Sequence, residues 1–283
     1  MKIGYLGAMI GGRPPRPGQR AKVGEFTTAA EIGFTAEQRD LPDISAKDFD
    51  IQLAYQMRVL KAAEAAGIYT HLLGIICDPA WAYANKKLYA KRMNRIIELH
   101  DGLDVSFMIG REMIQIAPKD YADWLKFNDK MIPLNVPVVF TCVPRLEESA
   151  TWDWVKEAMI EEFFYDYFAI NWHGDAGKHL DQLPDVIKRI KPIVGNVLVI
   201  AETGTWGSAN TVQPPQTDEQ QGAAMCKLIK IGRKMGVKEL YFCPALQDSE
   251  SVAGKDFGGQ GLVDVNGKLK VGAEMVKKEI AKR

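Results

Sequence analysis

Residues 218–242 read DEQQGAAMCKLIKIGRKMGVKELYF, and this stretch shows the pattern whose repetition along the chain predicts the fold. Its first part is an amphipathic helical stretch that ends at Gly236, and glycine is a common helix stop. A short apolar run, ELYF, begins soon afterwards at Glu239. A helix followed directly by an apolar strand is the repeating unit of proteins in which helices alternate with parallel strands.

Apolar runs of the same kind occur seven times along the chain. Each is largely apolar rather than alternating with polar residues, which is typical of parallel strands buried on both faces. Amphipathic helical stretches such as residues 49–67 and 118–135 separate them. The predicted strands are KIGYLGAMI (2–10), IYTHLLGIICDP (68–79), DVSFMIGREM (104–113), VPVVFTCVP (136–144), YDYFAINWHGD (165–175), VLVIAETGT (197–205) and ELYFCPALQDS (239–249).

This alternation is compatible with an open doubly wound sheet or with a closed (β/α)8 barrel. No G-x-G-x-x-G run opens a helix after the first strand, because GAMIGG (7–12) leads into RPPRPGQ (13–19), which cannot begin a helix. The length of 283 residues is slightly above the roughly 250 typical of a barrel. We therefore predict an α/β fold, a single-domain (β/α)8 TIM barrel over residues 1–283.

Seven predicted strands leave the eighth strand of the barrel to be placed. We expect it within residues 20–35 or in the tail around residues 261–265. Residues 11–19, GGRPPRPGQ, are rich in proline and glycine and predict a loop. Because this loop follows the first strand, we expect residues 11–45 to form a loop-rich insertion over the mouth of the barrel.

Composition excludes several classes of partner. The 36 basic and 36 acidic residues cancel, so the chain lacks the net positive charge typical of proteins that bind nucleic acid or an anionic membrane. This charge balance suits a neutral ligand better. No apolar run is long enough to span a bilayer, and no signal peptide is recognisable, so we expect a soluble protein, cytoplasmic or released. The four cysteines are widely spaced in the sequence, and we expect each to be a reduced residue of the core: Cys77, Cys142, Cys226 and Cys243.

Two glutamates stand where an apolar run gives way to a polar loop. Glu112 lies in VSFMIGREMIQ and Glu202 in VLVIAETGTW. Cleavage of a glycosidic bond commonly requires two such carboxyl groups. One donates a proton to the leaving oxygen, and the other stabilises the positive charge that develops on the sugar ring. We take Glu112 and Glu202 as the candidate catalytic residues.

Five motifs together carry a resemblance to a known group of proteins: IGRE (109–112), FAINWHGD (168–175), VIAETGTW (199–206), LYFCPALQDS (240–249) and GLVDVNGKLKVGAEMVKKEI (261–280). Their order resembles the clan of retaining glycoside hydrolases built on (β/α)8 barrels. The resemblance implies that Glu112 is the acid/base at the end of the fourth strand and Glu202 the nucleophile at the end of the seventh. The clan usually has asparagine before the acid/base, where this chain has Arg111.

A second resemblance covers the N-terminal half. Residues 41–75, LPDISAKDFDIQLAYQMRVLKAAEAAGIYTHLLGI, look like the entry into the barrel of endo-α-mannosidase-like proteins. With the strand numbering of that group, Glu112 would stand at the end of the third strand and Glu202 at the end of the sixth. Both resemblances imply a carbohydrate-active barrel, and a barrel that binds glycan without cleaving it is a further alternative.

Residues beyond the predicted strands are candidates for binding sugar. Sugars stack their apolar faces on aromatic rings, whereas polar and charged side chains contact hydroxyls. Trp124, Trp152 and Trp154 lie in predicted helices, and we expect these three side chains to pack in the core instead. The candidate substrate-binding residues are Arg111, Asn171, Trp172, His173, Trp206, Trp81, Asp78 and Gln247, with Asp175 and Asp248 as further contacts at the rim.

Other chemistries lack their motifs. The four histidines show no H-x-H or H-E-x-x-H spacing, and of these only His71 and His173 have positions that suit a barrel mouth. The chain also has no G-x-S-x-G motif and no phosphate-binding glycine loop with a lysine. We expect no metal, no cofactor, and a carbohydrate as the partner; the oligomeric state does not follow from the sequence.

Overall fold

The computed structural model describes residues 1–6, 23–109, 117–132, 137–142, 153, 155–157, 165–173, 180–195, 198–204, 217–242, 261–264 and 266–282. Eight parallel strands pair in chain order and close into a barrel, which confirms the predicted (β/α)8 fold. The strands are β1 (Lys2–Leu6), β2 (Ala36–Asp40), β3 (Thr70–Ile75), β4 (Asp104–Ile109), β5 (Val138–Cys142), β6 (Tyr167–His173), β7 (Leu198–Gly204) and β8 (Glu239–Phe242).

Helices follow the strands and cover the outside of the barrel. Within the described ranges they are α1 (Val23–Ile32), α2 (Phe49–Ala65), α3 (Pro79–Ala84), α4 (Lys86–Leu99), α5 (Pro118–Asp129), α6 (Leu183–Val194), α7 (Asp218–Lys234) and α8 (Val271–Ile280). The helix predicted before Gly236 is α7, and Gly236 has a φ of 69°, as expected of a glycine that ends a helix. Thr217 and Gln220 form a capping box at its start. No helix in the described part of the chain is long and apolar enough to cross a membrane.

The strand missing from the sequence-based count is β2. Both expected positions were wrong, because residues 23–32 form α1 and residues 261–264 contribute only an isolated antiparallel bridge between Val263 and Leu269. β2 reads AEQRD and lacks the apolar character of the other strands, although all five of its residues are buried. The range 11–45 is therefore helix and strand over residues 23–32 and 36–40 rather than a loop-rich insertion; residues 11–22 lie outside the described part.

The polar residues of β2 are buried on both sides of the barrel wall. Glu37 and Arg39 are 0% and 1% exposed, and their side chains form an ion pair at 2.9 Å. The Arg39 guanidinium also lies over the ring of Phe26 in α1, 5.6 Å from its centroid. Glu37 and Arg39 therefore face outward, toward the helices. The other face of β2 points into the barrel, because Ala36 belongs to the interior cluster and alternate residues of a strand share a face.

Two separate apolar cores hold the barrel together. The larger one lies between the strands and the helices and includes Trp124 at 2% exposed, which confirms its predicted packing role. The smaller one fills the barrel interior with side chains from seven of the eight strands, as expected of a packed barrel core. Its members are Ala36, Leu72, Met108, Val139, Ala169, Val199, Ala201 and Tyr241.

Polar contacts join the strands at the N-terminal end of the barrel. Lys2 Nζ donates to the Asp104 carboxylate at 2.9 Å, and Thr70 Oγ1 donates to the same carboxylate at 2.7 Å. Within β8, Tyr241 donates to the Glu239 carboxylate at 2.8 Å, and Lys2 Nζ of β1 lies 4.0 Å from the same carboxylate. These contacts lie opposite the end at which barrel enzymes place their active sites, so they belong to the stability of the fold.

Candidate active site

The C-terminal ends of β6 and β7 bring two of the predicted site residues next to each other. Asn171 of β6 and Glu202 of β7 are register partners in the parallel sheet. Both lie near the end of their strand, where the C-terminal face of a barrel carries catalytic residues. Asn171 is 1% exposed. The backbone of Glu202 is described, whereas its side chain lies outside the described part of the structure.

A β-bulge in β7 positions the backbone of Glu202. Ile170 pairs with Ile200, but the next residue of β6, Asn171, pairs with Glu202, so β7 carries Ala201 as an extra residue. The pairing with β8 shifts at the same place, between Ile200 and Thr203. Bulges of this kind occur at the rims of barrels and next to active sites, where they redirect side chains. The irregularity of the barrel therefore falls at the predicted nucleophile.

The strand numbering now distinguishes the two resemblances. β4 ends at Ile109 and is the fourth strand along the chain, and β7, which contains Glu202, is the seventh. The numbering implied by the retaining clan is confirmed for these strands. The alternative, with Glu112 after a third strand and Glu202 on a sixth, is wrong, because it omits β2. Glu112 and Arg111 themselves lie outside the described residues.

Two of the predicted aromatic contacts can be located. Trp172, paired with Thr203 in the sheet, is 5% exposed and belongs to the core between strands and helices. Trp81 lies in α3, is partly buried against the same core, and has the Arg92 guanidinium 5.8 Å from its ring centroid. Neither ring is an open stacking surface in this structure, and their contact with sugar stays a prediction. Trp206 lies outside the described residues.

Asp78 has a local structural role. It is the N-cap of α3, and its carboxylate accepts a hydrogen bond from the Ala80 backbone N–H at 3.0 Å. Capping of this kind satisfies one of the free N–H groups at a helix start. The backbone of His173 ends β6 at the mouth, while its side chain is outside the described part. Gln247, Asp175 and Asp248 are also outside it.

Sequence reasoning missed two inward-facing polar residues, Gln38 and Asp40. They share the face of Ala36 in β2 and are 0% and 6% exposed. The available signal was the short polar run AEQRD between a helical stretch and a proline-containing loop, but a run of polar residues does not match the pattern of a buried strand. Asp40 ends β2 and therefore stands at the mouth of the barrel.

His71 does not face the barrel mouth, contrary to expectation. It is the second residue of β3, is fully buried, and its Nδ1 lies 3.2 Å from the Glu37 carboxylate on the outer side of the wall. His100 is also buried, and burial lowers the pKa of its imidazole to about 4. No group of three metal-binding side chains occurs among the residues that the structure describes.

The cysteines that the structure describes are unpaired thiols. Cys226 is buried in α7, and Cys77 is partly buried after β3. Burial raises the pKa of the Cys77 thiol to about 12, so it is not poised as a nucleophile. The prediction of reduced cysteines is confirmed for these two; the side chain of Cys142 and all of Cys243 lie outside the described part.

Comparison with known proteins identifies relatives by fold alone. No protein-family profile and no curated protein sequence matches the chain. A β-1,3-glucanosyltransferase from Rhizomucor miehei, solved with laminaritriose, has a TM-score of 0.68 at 15% identity over 96% of this chain and 96% of that one. Xylanase 10B from Thermotoga maritima has a TM-score of 0.66 at 14% identity, and the alignment covers 99% of this chain and 94% of the xylanase.

A third similar structure is longer than this chain. It is an exo-β-1,4-mannosidase from Opitutaceae bacterium strain TAV5, with a TM-score of 0.69 at 13% identity. The alignment covers 99% of this chain and 58% of the mannosidase. At these identities the likeness establishes the barrel fold, and a fold supports many unrelated activities.

Proposed function

We propose that the protein is a glycosidase that acts on an oligo- or polysaccharide by a two-glutamate retaining mechanism. The observation that carries the proposal is the closed (β/α)8 barrel, in which the backbone of Glu202 belongs to the seventh strand and Glu112 follows the fourth strand in the sequence. Glu202 lies in β7 at its C-terminal end, and Glu112 is three residues beyond the end of β4 in the sequence. Strands four and seven are those that the resemblance to the retaining clan requires.

In the proposed reaction Glu202 is the nucleophile. Its carboxylate attacks the anomeric carbon, and the bond from that carbon to the leaving oxygen breaks as a glycosyl ester forms. Glu112, protonated at this stage, gives its proton to the leaving oxygen. In the second step Glu112 as a carboxylate takes a proton from water, the hydroxyl attacks the anomeric carbon, and Glu202 is released.

The bulge in β7 supports Glu202 as a positioned residue of the site. A nucleophile must be held within a narrow range of distance and angle from the anomeric carbon. Ala201, the extra residue, changes the register immediately before Glu202, and Asn171 is fixed opposite it by the sheet. We assign Asn171, together with His173, Arg111, Trp206 and Gln247, to substrate contacts around the same mouth, whereas sugar contacts of Trp172, Trp81 and Asp78 stay predictions.

The glycosyl ester can be discharged by water or by a sugar hydroxyl. One of the similar solved structures is a glucanosyltransferase. The assay must therefore measure products longer than the substrate as well as new reducing ends. We propose hydrolysis as the main outcome.

Covalent trapping tests the proposal most directly. The protein is first assayed on a panel of 4-nitrophenyl glycosides and polysaccharides for released nitrophenol and reducing ends. It is then incubated with the activated 2-deoxy-2-fluoro analogue of the best substrate, which slows hydrolysis of the ester. We expect a peptide containing Glu202 to gain the mass of the fluorosugar. A label on another residue would contradict the assignment of the nucleophile, and lack of turnover on the whole panel would contradict the function.

A further inference from the structure

One face of α4 carries a stripe of positive charge. The helix contains five basic residues and one acidic residue. Lys87, Lys91 and Arg95 follow one another at intervals of four residues, so they lie on the same side of the helix, about 6 Å apart along its axis. All three are exposed, and none of them forms an ion pair or a hydrogen bond with a residue in the described part of the chain.

This arrangement of charges is unfavourable for the helix by itself. Like charges four residues apart repel each other and lower the stability of a helix. Exposed lysines on two other helices have acidic partners, because Lys188 of α6 pairs with Asp185 and Lys227 of α7 pairs with Asp181. The stripe of α4 has no such partner among the described residues, so an acidic surface on another molecule would relieve its repulsion.

A groove of about 560 Å³ borders the stripe. It is lined by Asp50 at the start of α2 and by residues of α4 that include Leu88, Lys91, Arg95 and Glu98. Leu88 is 40% exposed and offers an apolar contact beside the two cations. The carboxylates of Asp50 and Glu98 would repel a long polyanion such as nucleic acid, so the groove suits a short acidic surface.

The chain itself contains an acidic surface with the same spacing. Residues 147–162 include six acidic residues and one lysine in the sequence. Two of the acidic residues, Asp153 and Glu157, lie in the described part of the chain, where both are exposed, helical and four residues apart. Lys156 lies 3.9 Å from Asp153, but both side chains are mostly exposed, so this ion pair is weak. Glu157 forms no ion pair with any described residue.

We propose that the stripe of α4 binds the acidic pair Asp153 and Glu157 of a second copy of this chain, with Lys91 facing Glu157. In a dimer with twofold symmetry each copy contributes both surfaces, so the contact occurs twice. The equal spacing of the two charge patterns lets two cations face two carboxylates about 6 Å apart. Because exposed ion pairs contribute little individually and are screened by salt, the dimer is weak and sensitive to ionic strength. This association does not depend on the proposed glycosidase function.

Sedimentation velocity over a range of micromolar concentrations measures the association. We expect the wild-type protein to form a dimer at about 50 mM NaCl, with Kd about tenfold higher at about 500 mM NaCl because the charges are then screened. Lys91→Glu and Glu157→Lys each place like charges opposite one another at both contacts of the dimer. Each variant alone should therefore raise Kd about tenfold or more.

A mixture of the two variants provides the sharpest comparison. In a heterodimer of Lys91→Glu with Glu157→Lys, one contact has its charges exchanged and the other is the wild-type pair, so both contacts are attractive again. We expect the mixture to dimerise with a Kd near the wild-type value. The matched control is Lys61→Glu, which makes the same change of charge at an exposed lysine of α2 outside the groove and should leave Kd unchanged.

Dimers of the wild-type protein and of the mixture, together with loss of association in each variant alone, support the proposal. A wild-type protein that stays monomeric at low salt overturns it. So does an unchanged Kd in folded Lys91→Glu or folded Glu157→Lys, or a mixture that does not associate. Thermal unfolding establishes that each variant is folded. If a single variant does not fold, the double variant Lys91→Glu/Glu157→Lys takes its place; it should dimerise, and a folded double variant that remains monomeric also overturns the proposal.

Discussion

Asn171 of β6 pairs with Glu202 of β7 at the point where β7 carries one residue more than its neighbour. The extra residue, Ala201, belongs to the barrel interior. The bulge thus keeps the interior packed while it shifts the register of the residue that follows. This relationship places the backbone of the predicted nucleophile at an irregular point of the sheet, and it connects the local fold to the proposed chemistry.

The first prediction concerns the distance between the two candidate carboxylates. A retaining mechanism needs the carboxyl groups of Glu112 and Glu202 about 5 to 5.5 Å apart across one pocket, because the nucleophile must reach the anomeric carbon directly. A crystal structure with a bound oligosaccharide measures this distance. A separation near 6.5–9.5 Å would indicate inversion with a water between the groups, and separate pockets would contradict the pairing altogether.

The second prediction distinguishes the acid from the nucleophile. Glu112→Ala should retain turnover of aryl glycosides with acidic phenols, since these leave without protonation, and lose about 10²–10⁴-fold on natural linkages. Azide should restore part of the rate by attacking the glycosyl ester. Glu202→Gln serves as the comparison and should lose activity on every substrate. Steady-state kinetics on a series of leaving groups decides the matter, and equal losses on all of them would show that Glu112 is not the acid.

The third prediction concerns Arg111, which stands where the clan has asparagine. Arginine is permanently charged and presents a planar fork of donors that suits a carboxylate. Arg111→Asn should keep measurable activity on neutral glycans if the contact is mainly to a hydroxyl. Rates on paired neutral and uronic substrates provide the measurement. Loss confined to uronic substrates would mean that the natural ligand is anionic and that the expectation of a neutral ligand is wrong.

The fourth prediction concerns the buried ion pair of β2. Glu37→Gln should lower the free energy of unfolding by about 3–5 kcal/mol, because it removes the carboxylate that pairs with the buried Arg39 charge at 2.9 Å. Replacing both residues by methionine should cost less than the single change, since neither charge then remains. Urea unfolding at pH 7 measures both. A double variant less stable than Glu37→Gln would show that the pair has a stabilising role beyond mutual neutralisation.

The fifth prediction concerns the pH dependence of stability. Burial raises the pKa of Glu37, but the Arg39 charge and the hydrogen bond from His71 outweigh it and hold the pKa below the ordinary value. A carboxyl with a lowered pKa in the folded state stabilises the protein above the pKa of the unfolded chain, and this contribution is lost as the pH falls below about 4.3 toward the folded pKa. The wild-type protein should therefore lose stability more steeply than Glu37→Gln between pH 5 and pH 3. Parallel unfolding curves for the two proteins would contradict this.

The apolar strands and the helical stretches between them could be recognised from the sequence. Runs such as VLVIAETGT and the amphipathic helix before Gly236 have the periodicity that their burial requires, so their type follows from local pattern. The positions of Glu112 and Glu202 after such runs were sufficient to nominate them as candidates. Alternation allowed an open sheet or a closed barrel, and the length together with the missing G-x-G-x-x-G run after the first strand favoured the barrel.

Tertiary structure alone decided the place of β2 and the roles of its residues. The polar run AEQRD does not predict a buried strand, because its burial depends on partners supplied from elsewhere: His71 of β3 for Glu37, Phe26 of α1 for Arg39, and the space left by Gly74 for Asp40. These contacts join residues distant in the chain, and no local periodicity encodes them. The same holds for the bulge at Ala201, which exists only as a difference in register between neighbouring strands. Local pattern therefore identified seven of the eight barrel strands, whereas long-range packing determined the eighth, β2, and which of its polar residues face the interior.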